Sequence, residues 1–242
     1  LVTGAGRGIG RVTARLLSAR GARVMAVARS EDELAALELD YVVADLGPAE
    51  GCSHAVEQTR QRLGPVESFI CNHGSGSAHE QVIWDQDPQW WDKTIRINLD
   101  GPCPRARLIG AGRISQGYGR GVYTSSTAGE VAEHASAAYN SSKHGLLGLM
   151  RSVAVAAGVH GITSNAVLPG WVRTEMAETS AVAAAEERGI SAEEIWAERA
   201  ELYPAGRVVT PAEVAEVIAF LASEEASGVS GQAVTVALGG IY

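Results

Sequence analysis

Two periodicities take turns along this chain: short unbroken apolar runs, and stretches in which apolar residues return every third or fourth position. Leu1–Thr3 reads as the end of a strand, followed by a glycine-rich turn and a helix over Ile9–Ala19 with Ile9, Val12 and Leu16 on one face. Ala22–Ala28 is a second strand, Glu31–Leu37 a helix and Tyr41–Ala44 a third strand. A helix over His54–Leu63 ends at Gly64-Pro65, and Ser68–Cys71 is the fourth strand. A longer helix is predicted over Trp90–Arg107, interrupted by Pro102 and Pro104. The remaining pattern gives a strand at Gly121–Ser125, a helix at Ala137–Gly158 and a strand at Gly161–Gly170. A helix at Pro211–Ser223 and a strand at Gly231–Leu238 close the chain. Residues 177–203 read as a helical segment inserted between two sheet elements.

Strands that are apolar throughout, separated by helices, indicate a parallel sheet covered on both faces. The fold class expected is therefore α/β, a doubly wound parallel sheet with helices on both faces and ligands at the carboxyl ends of the strands. With no repeat, low-complexity tract or convincing linker, residues 1–242 are read as one domain carrying a helical lid at about 171–204.

Composition narrows the partners. A formal charge of −8 argues against nucleic acid and anionic membranes, both of which call for a basic face. No apolar run approaches the ~20 residues of a membrane span. Cys52, Cys71 and Cys103 show no paired spacing, and the six histidines are scattered, so neither a disulfide framework nor a metal site is expected. These features lead to the expectation of a cytoplasmic protein.

Thr3–Gly10, TGAGRGIG, lies between a strand and a helix. There Gly4 allows a tight turn, Gly8 lets the backbone approach a pyrophosphate and Gly10 lets the helix pack on the sheet. The second strand ends Val27-Ala28-Arg29-Ser30 without an acid at its tip. Arg29, helped by Arg7, suits the 2′-phosphate of NADP(H), which is favoured; NAD(H) stays open because Glu31, Asp32 and Glu33 follow at once. Only two of the twenty basic residues are lysines, and one, Lys143, stands four residues after Tyr139. On a helix that spacing puts both on one face, where an ammonium lowers the pKa of a phenol. Ser126, at the end of the fifth strand, can hydrogen-bond a substrate carbonyl.

Taken together, TGAGRGIG, CNHG at Cys71–Gly74, INLDG at Ile97–Gly101, SSTAG at Ser125–Gly129, YNSSK at Tyr139–Lys143 and PGWVRT at Pro169–Thr174 resemble the motif series of the short-chain dehydrogenases/reductases, in order and spacing. The resemblance implies a Rossmann-type fold and hydride transfer between a nicotinamide cofactor and a ketone or secondary alcohol. It implies Tyr139 as acid–base, Lys143 as its partner and ribose contact, Ser126 as the carbonyl-binding serine, and Asn98 as support for a proton relay. It further implies cofactor contacts from Gly4, Arg7, Gly8, Ile9 and Gly10, from Asp45 and Leu46, from Asn72 and Gly74, and from Pro169, Gly170, Val172 and Thr174.

Three departures stand out. His73 replaces the family's alanine and brings a ring near the cofactor, and Cys71 replaces its first asparagine. The ending GQAVTVALGG is one residue longer than usual and lacks an aspartate. Pro102 and Pro104 fall where a partner subunit usually packs, so the oligomer expected is a homotetramer or a homodimer. Ser126, His134, Trp171 and Met176 are expected to meet the substrate, with Glu130, Val131, Trp84, Trp196 and Tyr203 around them. These side chains suit a hydrophobic ketone or alcohol. Arg173 and Arg207 keep a 3-oxoacyl thioester reductase open. The further alternatives are an NAD-dependent alcohol dehydrogenase and a non-catalytic dinucleotide sensor.

Overall fold

The structure, a computed structural model, describes residues 1–76, 81–102 and 117–240. Among these, seven strands form one parallel sheet: β1 (Val2–Thr3), β2 (Met25–Ala28), β3 (Asp40–Val43), β4 (Ser68–Cys71), β5 (Gly119–Thr124), β6 (Ile162–Pro169) and β7 (Ala233–Val236). Their order is β3-β2-β1-β4-β5-β6-β7. The direction of travel reverses between β1 and β4, which opens a crevice at their carboxyl ends.

The α-helices among the described residues are α1 (Gly8–Ala19), α2 (Glu31–Ala35), α3 (Ala49–Leu63), α4 (Pro88–Ile95), α5 (Ala137–Ala157), α6 (Glu175–Arg188), α7 (Ala192–Glu201) and α8 (Pro211–Leu221). Alternate strand residues face opposite sides, so a sheet covered on both needs apolar residues at every position. On one side Val2, Ala26, Ile70, Val122 and Val167 meet Ala14 of α1 and Val214, Ile218 and Leu221 of α8. On the other, Phe69, Tyr123, Ala166 and Leu168 meet Val56 of α3 and Leu146, Leu147 and Met150 of α5. Each large side chain fully buried in these layers contributes roughly 1.5–3 kcal/mol.

The elements fall where the apolar pattern puts them, with shifted ends. α3 begins at Ala49 rather than His54, because Pro48 fixes an extended entry just ahead of it. The helix expected over Trp90–Arg107 begins two residues early, capped by Asp87, whose side chain accepts from the Gln89 N–H. It then widens into a π-helical turn at Arg96–Asp100; its predicted continuation, including Pro104 and Cys103, lies outside the described residues. β7 pairs with β6 in unbroken register despite the extra residue near the terminus. Just beyond it Leu238 takes φ 51°.

Residues 177–203 form most of α6 and α7. These helices have a small core of their own from Ala181, Ala185, Ile195 and Trp196. The buried Arg199 guanidinium lies 3.7 Å from the Trp171 ring and 4.8 Å from that of Trp196.

Asn165, wholly buried on β6, holds the chain entering β7: its Nδ2 donates to Val229 O at 2.7 Å, and its Oδ1 accepts from Gln232 N at 3.1 Å. Replacing it with alanine strands both groups, so Asn165→Ala is expected to lower unfolding free energy by about 2–3 kcal/mol in denaturant titration.

Candidate active site

The glycine turn joins β1 to α1 at the mouth of the crevice. Any Cβ on Gly10 would strike the Gly4 carbonyl and Asn72 Nδ2, so only hydrogen fits there. Gly8 starts α1 with φ 54°, a left-handed conformation that disfavours other residues. Arg7 gives α1 no side-chain cap, and the first turn carries no acid. Its leading N–H groups are thus left to an outside acceptor, which fits a dinucleotide pyrophosphate. The turn is braced from β4: Asn72 Nδ2 donates to the carbonyls of Thr3 and Gly4, and its N–H donates to Thr3 Oγ1 at 3.0 Å.

His73 is half-buried beside the ends of β1 and β4. Its Nδ1 lies 3.0 Å from Thr3 Oγ1 and 3.7 Å from Cys71 Sγ, while Nε2 approaches Gly101. The ring is an internal brace between the ends of β1 and β4 and the chain after the π turn.

Tyr139 and Lys143 stand one turn apart near the start of α5. Lys143 is only 6% exposed; its Nζ donates to the Thr124 carbonyl at 3.0 Å and lies 5.5 Å from the centre of the Tyr139 ring. No other hydrogen bond of Nζ appears among the described residues, which leaves two of its three donors to other acceptors. Burial lowers its pKa to about 8, partly offset by Cys71.

The two adjacent serines after β5 diverge. Ser125 is buried and donates to the Lys143 carbonyl at 3.2 Å, tying the strand end to α5. Ser126 is half-buried and extended, and its Oγ accepts from Ala128 N at 3.2 Å, which keeps its hydroxyl proton available. Asn98 owes its inward aim to the π turn: Oδ1 accepts from Ser75 N at 2.8 Å and Nδ2 donates to Ser75 O and Ser142 Oγ. It thereby clamps the loop after β4 onto α5, and Gly74 on that loop leaves room for Asn98 and Lys143. Ser75 Oγ and Thr124 Oγ1 are buried beside them without a protein partner among the described residues, which suits a bound water or ligand hydroxyl.

The segment after β6 closes the crevice from the far side. Gly170 donates to Val236 O, Trp171 N donates to Tyr203 Oη at 2.6 Å, and Val172 bridges to Val209. Thr174 caps α6 and sets its methyl against Gly8. Met176 Sδ rests on Gly76, so the start of α6 reaches the loop after β4. Arg11 links α1 to this helix, its Nη1 3.7 Å from Glu175. Glu133, on the loop that leads into α5, faces Arg199, and burial raises its pKa against the pull of that guanidinium.

Other predicted residues sit differently. Trp84 is 80% exposed on a short turn rather than walling a pocket, and His134 is exposed. Asp45 accepts from its neighbour Gly47 N, and the Leu46 side chain is core, its carbonyl facing the Cys52 thiol. Arg29 is exposed and unpaired among the described residues. Of the acids after it, Glu31 turns to the Tyr41 hydroxyl, but Glu33 turns inward onto Gly6. Nothing in the spacing of these three acids along the chain distinguishes Glu31 from Glu33. No group of three or more His, Cys, Asp or Glu positioned to hold a metal occurs among the described residues.

Residues 4–240 match a family model described as enoyl-(acyl carrier protein) reductase. The chain is 32% identical to a D-beta-hydroxybutyrate dehydrogenase of Cupriavidus necator, covering 96% of this chain and 93% of that protein. It is also 32% identical to a 3-oxoacyl-[acyl-carrier-protein] reductase of Escherichia coli, covering 100% and 96%. Among solved structures, levodione reductase superposes with a TM-score of 0.93 at 30% identity, covering 97% of this chain and 94% of that one. An actinorhodin polyketide ketoreductase with NADPH gives 0.92 at 31%, covering 100% and 96%.

A lysine with a folded pKa near 8 and an unfolded value near 10.5 binds fewer protons folded than unfolded between those limits. The ligand-free protein is therefore expected to gain stability as pH rises from about 8 to 10.5, on the order of 3 kcal/mol in total. Thermal unfolding across that range should show the rise in the native chain and a flattened profile in Lys143→Met.

Proposed function

This chain belongs to the short-chain dehydrogenase/reductase family and is an NAD(P)-dependent oxidoreductase of ketones and secondary alcohols; within that chemistry we propose that it works chiefly as an NADPH-dependent ketoreductase. The observation that carries the reading is the buried Lys143, 5.5 Å from the Tyr139 ring centre and hydrogen-bonded to Thr124 at the strand end that leads into Ser126.

The nicotinamide, when bound, supplies or accepts the hydride. Tyr139 donates the proton to the carbonyl oxygen during reduction and removes it from the hydroxyl during oxidation. Lys143 favours the tyrosinate through its charge, and its spare N–H donors serve the cofactor ribose. Ser126 donates to the substrate oxygen and steadies the charge that develops there. Asn98 is a positioning residue: by holding Ser75 and Ser142 beside the lysine it supports a proton relay to that group.

The unpaired Arg29, with Arg7, supports NADP(H) over NAD(H). α6 and α7 act as the lid over about 171–204, with Trp171 and Met176 toward a hydrophobic ketone. A 3-oxoacyl thioester substrate is the second reading, supported by the Escherichia coli and polyketide relatives. Arg173 is tied up with Glu193 and Glu178, and Arg207 is gripped by Glu213 through both terminal nitrogens, so neither is a free cation for a carrier's phosphate. A homotetramer or homodimer is the proposed assembly, in keeping with the apolar Val155 on the last turn of α5 and Val159 just beyond it, each 84% exposed. The acidic composition and the buried free thiols of Cys52 and Cys71 favour the cytoplasm.

NADPH oxidation by a panel of hydrophobic ketones and 3-oxoacyl thioesters tests the reading. Turnover with ketones and NADPH is expected, and silence with every substrate despite cofactor binding would leave a dinucleotide sensor instead. Tyr139→Phe should reduce turnover by about 10³-fold while NADPH fluorescence still reports binding.

A further inference from the structure

The adenosine end of the crevice lies between the glycine turn and the tip of β2, where a carboxylate selects the 2′-hydroxyl and an arginine the 2′-phosphate. The tip residue that faces the turn here is Ala28, whose methyl lies 3.3 Å from where a Cβ on Gly6 would stand. A carboxylate nevertheless reaches this place from α2. Glu33 packs its Cβ 3.2 Å from the same point and sets Oε2 directly against Gly6.

Local structure holds it there. Ser30 caps α2 by accepting from the Glu33 N–H at 3.4 Å, and the wholly buried Leu34 anchors the same turn in the core. Glu31 is drawn off to the Tyr41 hydroxyl on β3, 3.3 Å away, and Asp32 is exposed. One acid of the three therefore enters the crevice. Glu33 is half-buried, whereas Arg29 is exposed and unpaired among the described residues.

From this arrangement we propose that Glu33 is a second cofactor-selecting residue, acting against Arg29: its carboxylate accepts a hydrogen bond from the 2′-hydroxyl of NAD(H) and opposes the 2′-phosphate of NADP(H). A hydroxyl can donate to a carboxylate, but a phosphate brings only acceptors and like charge. Arg29 supplies attraction of the opposite sign from the neighbouring position. The preference for NADP(H) is consequently narrow, and Glu33 sets its width. The inference rests on the dinucleotide-binding reading above and deepens it.

The test is calorimetric binding, without turnover, of 2′,5′-ADP, 5′-AMP, NADPH and NADH to the full chain and to Glu33→Gln, Glu33→Asp and Arg29→Ala. Glu33→Gln is expected to shift the ratio of affinities toward the 2′-phosphorylated member of each pair by about tenfold. Glu33→Asp, which keeps the charge but withdraws it from Gly6, should fall between Glu33→Gln and the native chain. Arg29→Ala should move the ratio the other way. A native chain that binds these nucleotides while the ratio in Glu33→Gln stays within about twofold would overturn the role of Glu33 and leave the dinucleotide reading standing. A native chain that binds none of them would overturn that reading, and the proposal with it.

Discussion

An ammonium group buried beside a phenol is the constraint around which the crevice is built. Taking a lysine out of water disfavours its charged form, as the lowered pKa of Lys143 records. The fold offsets this with the Thr124 carbonyl at the end of β5 and the face of the Tyr139 ring. For the carbonyl to reach Nζ, α5 must lie close on the strand end. Ser125 fixes that distance from the strand, and Gly129 permits it, since a Cβ there would press on Ser125 Oγ and the Lys143 carbonyl. The loop after β4 also passes close to the lysine, where a Cβ on Gly74 would crowd Asn98 Oδ1, and Asn98 holds that loop through Ser75 N. Removing any of these supports would leave a buried charge less well compensated.

The glycine turn meets a different requirement, that backbone N–H groups be exposed to a ligand yet held rigidly. Asn72 and His73, both from the end of β4, grip Thr3 and Gly4 and leave the opposite side of the turn open. Through Thr174 against Gly8 and Arg11 beside Glu175, the same turn meets the start of α6. The glycine turn and the start of α6 are thus in direct contact.

Much of this was legible in the chain. Continuous apolar strands announced a sheet covered on both faces, and the spacing of Tyr139 and Lys143 depends only on the pitch of a helix. The position of Ser126 after an apolar strand put a hydroxyl at the ligand edge of the sheet. Other features had no local signature. The π turn that aims Asn98 inward inserts itself into an ordinary helical pattern, because periodicity cannot register one widened turn. Ser125 and Ser126 are the same residue type side by side, and only packing makes the first a tie and the second an open hydroxyl.

Charge near the crevice shows the division most plainly. The sequence by itself determined the sheet class, the glycine turn, the tyrosine–lysine pair and the lack of an acid at the tip of β2, since each follows from residue type and chain spacing. The tertiary structure decided where the long side chains go. It tied the His73 ring to Thr3 and Cys71, trapped Arg199 between two tryptophans, and sent Glu31 and Glu33 in opposite directions. The physical reason is reach: a strand or helix fixes the direction of a Cβ, whereas the polar end of a long side chain settles wherever packing and partners from distant segments place it.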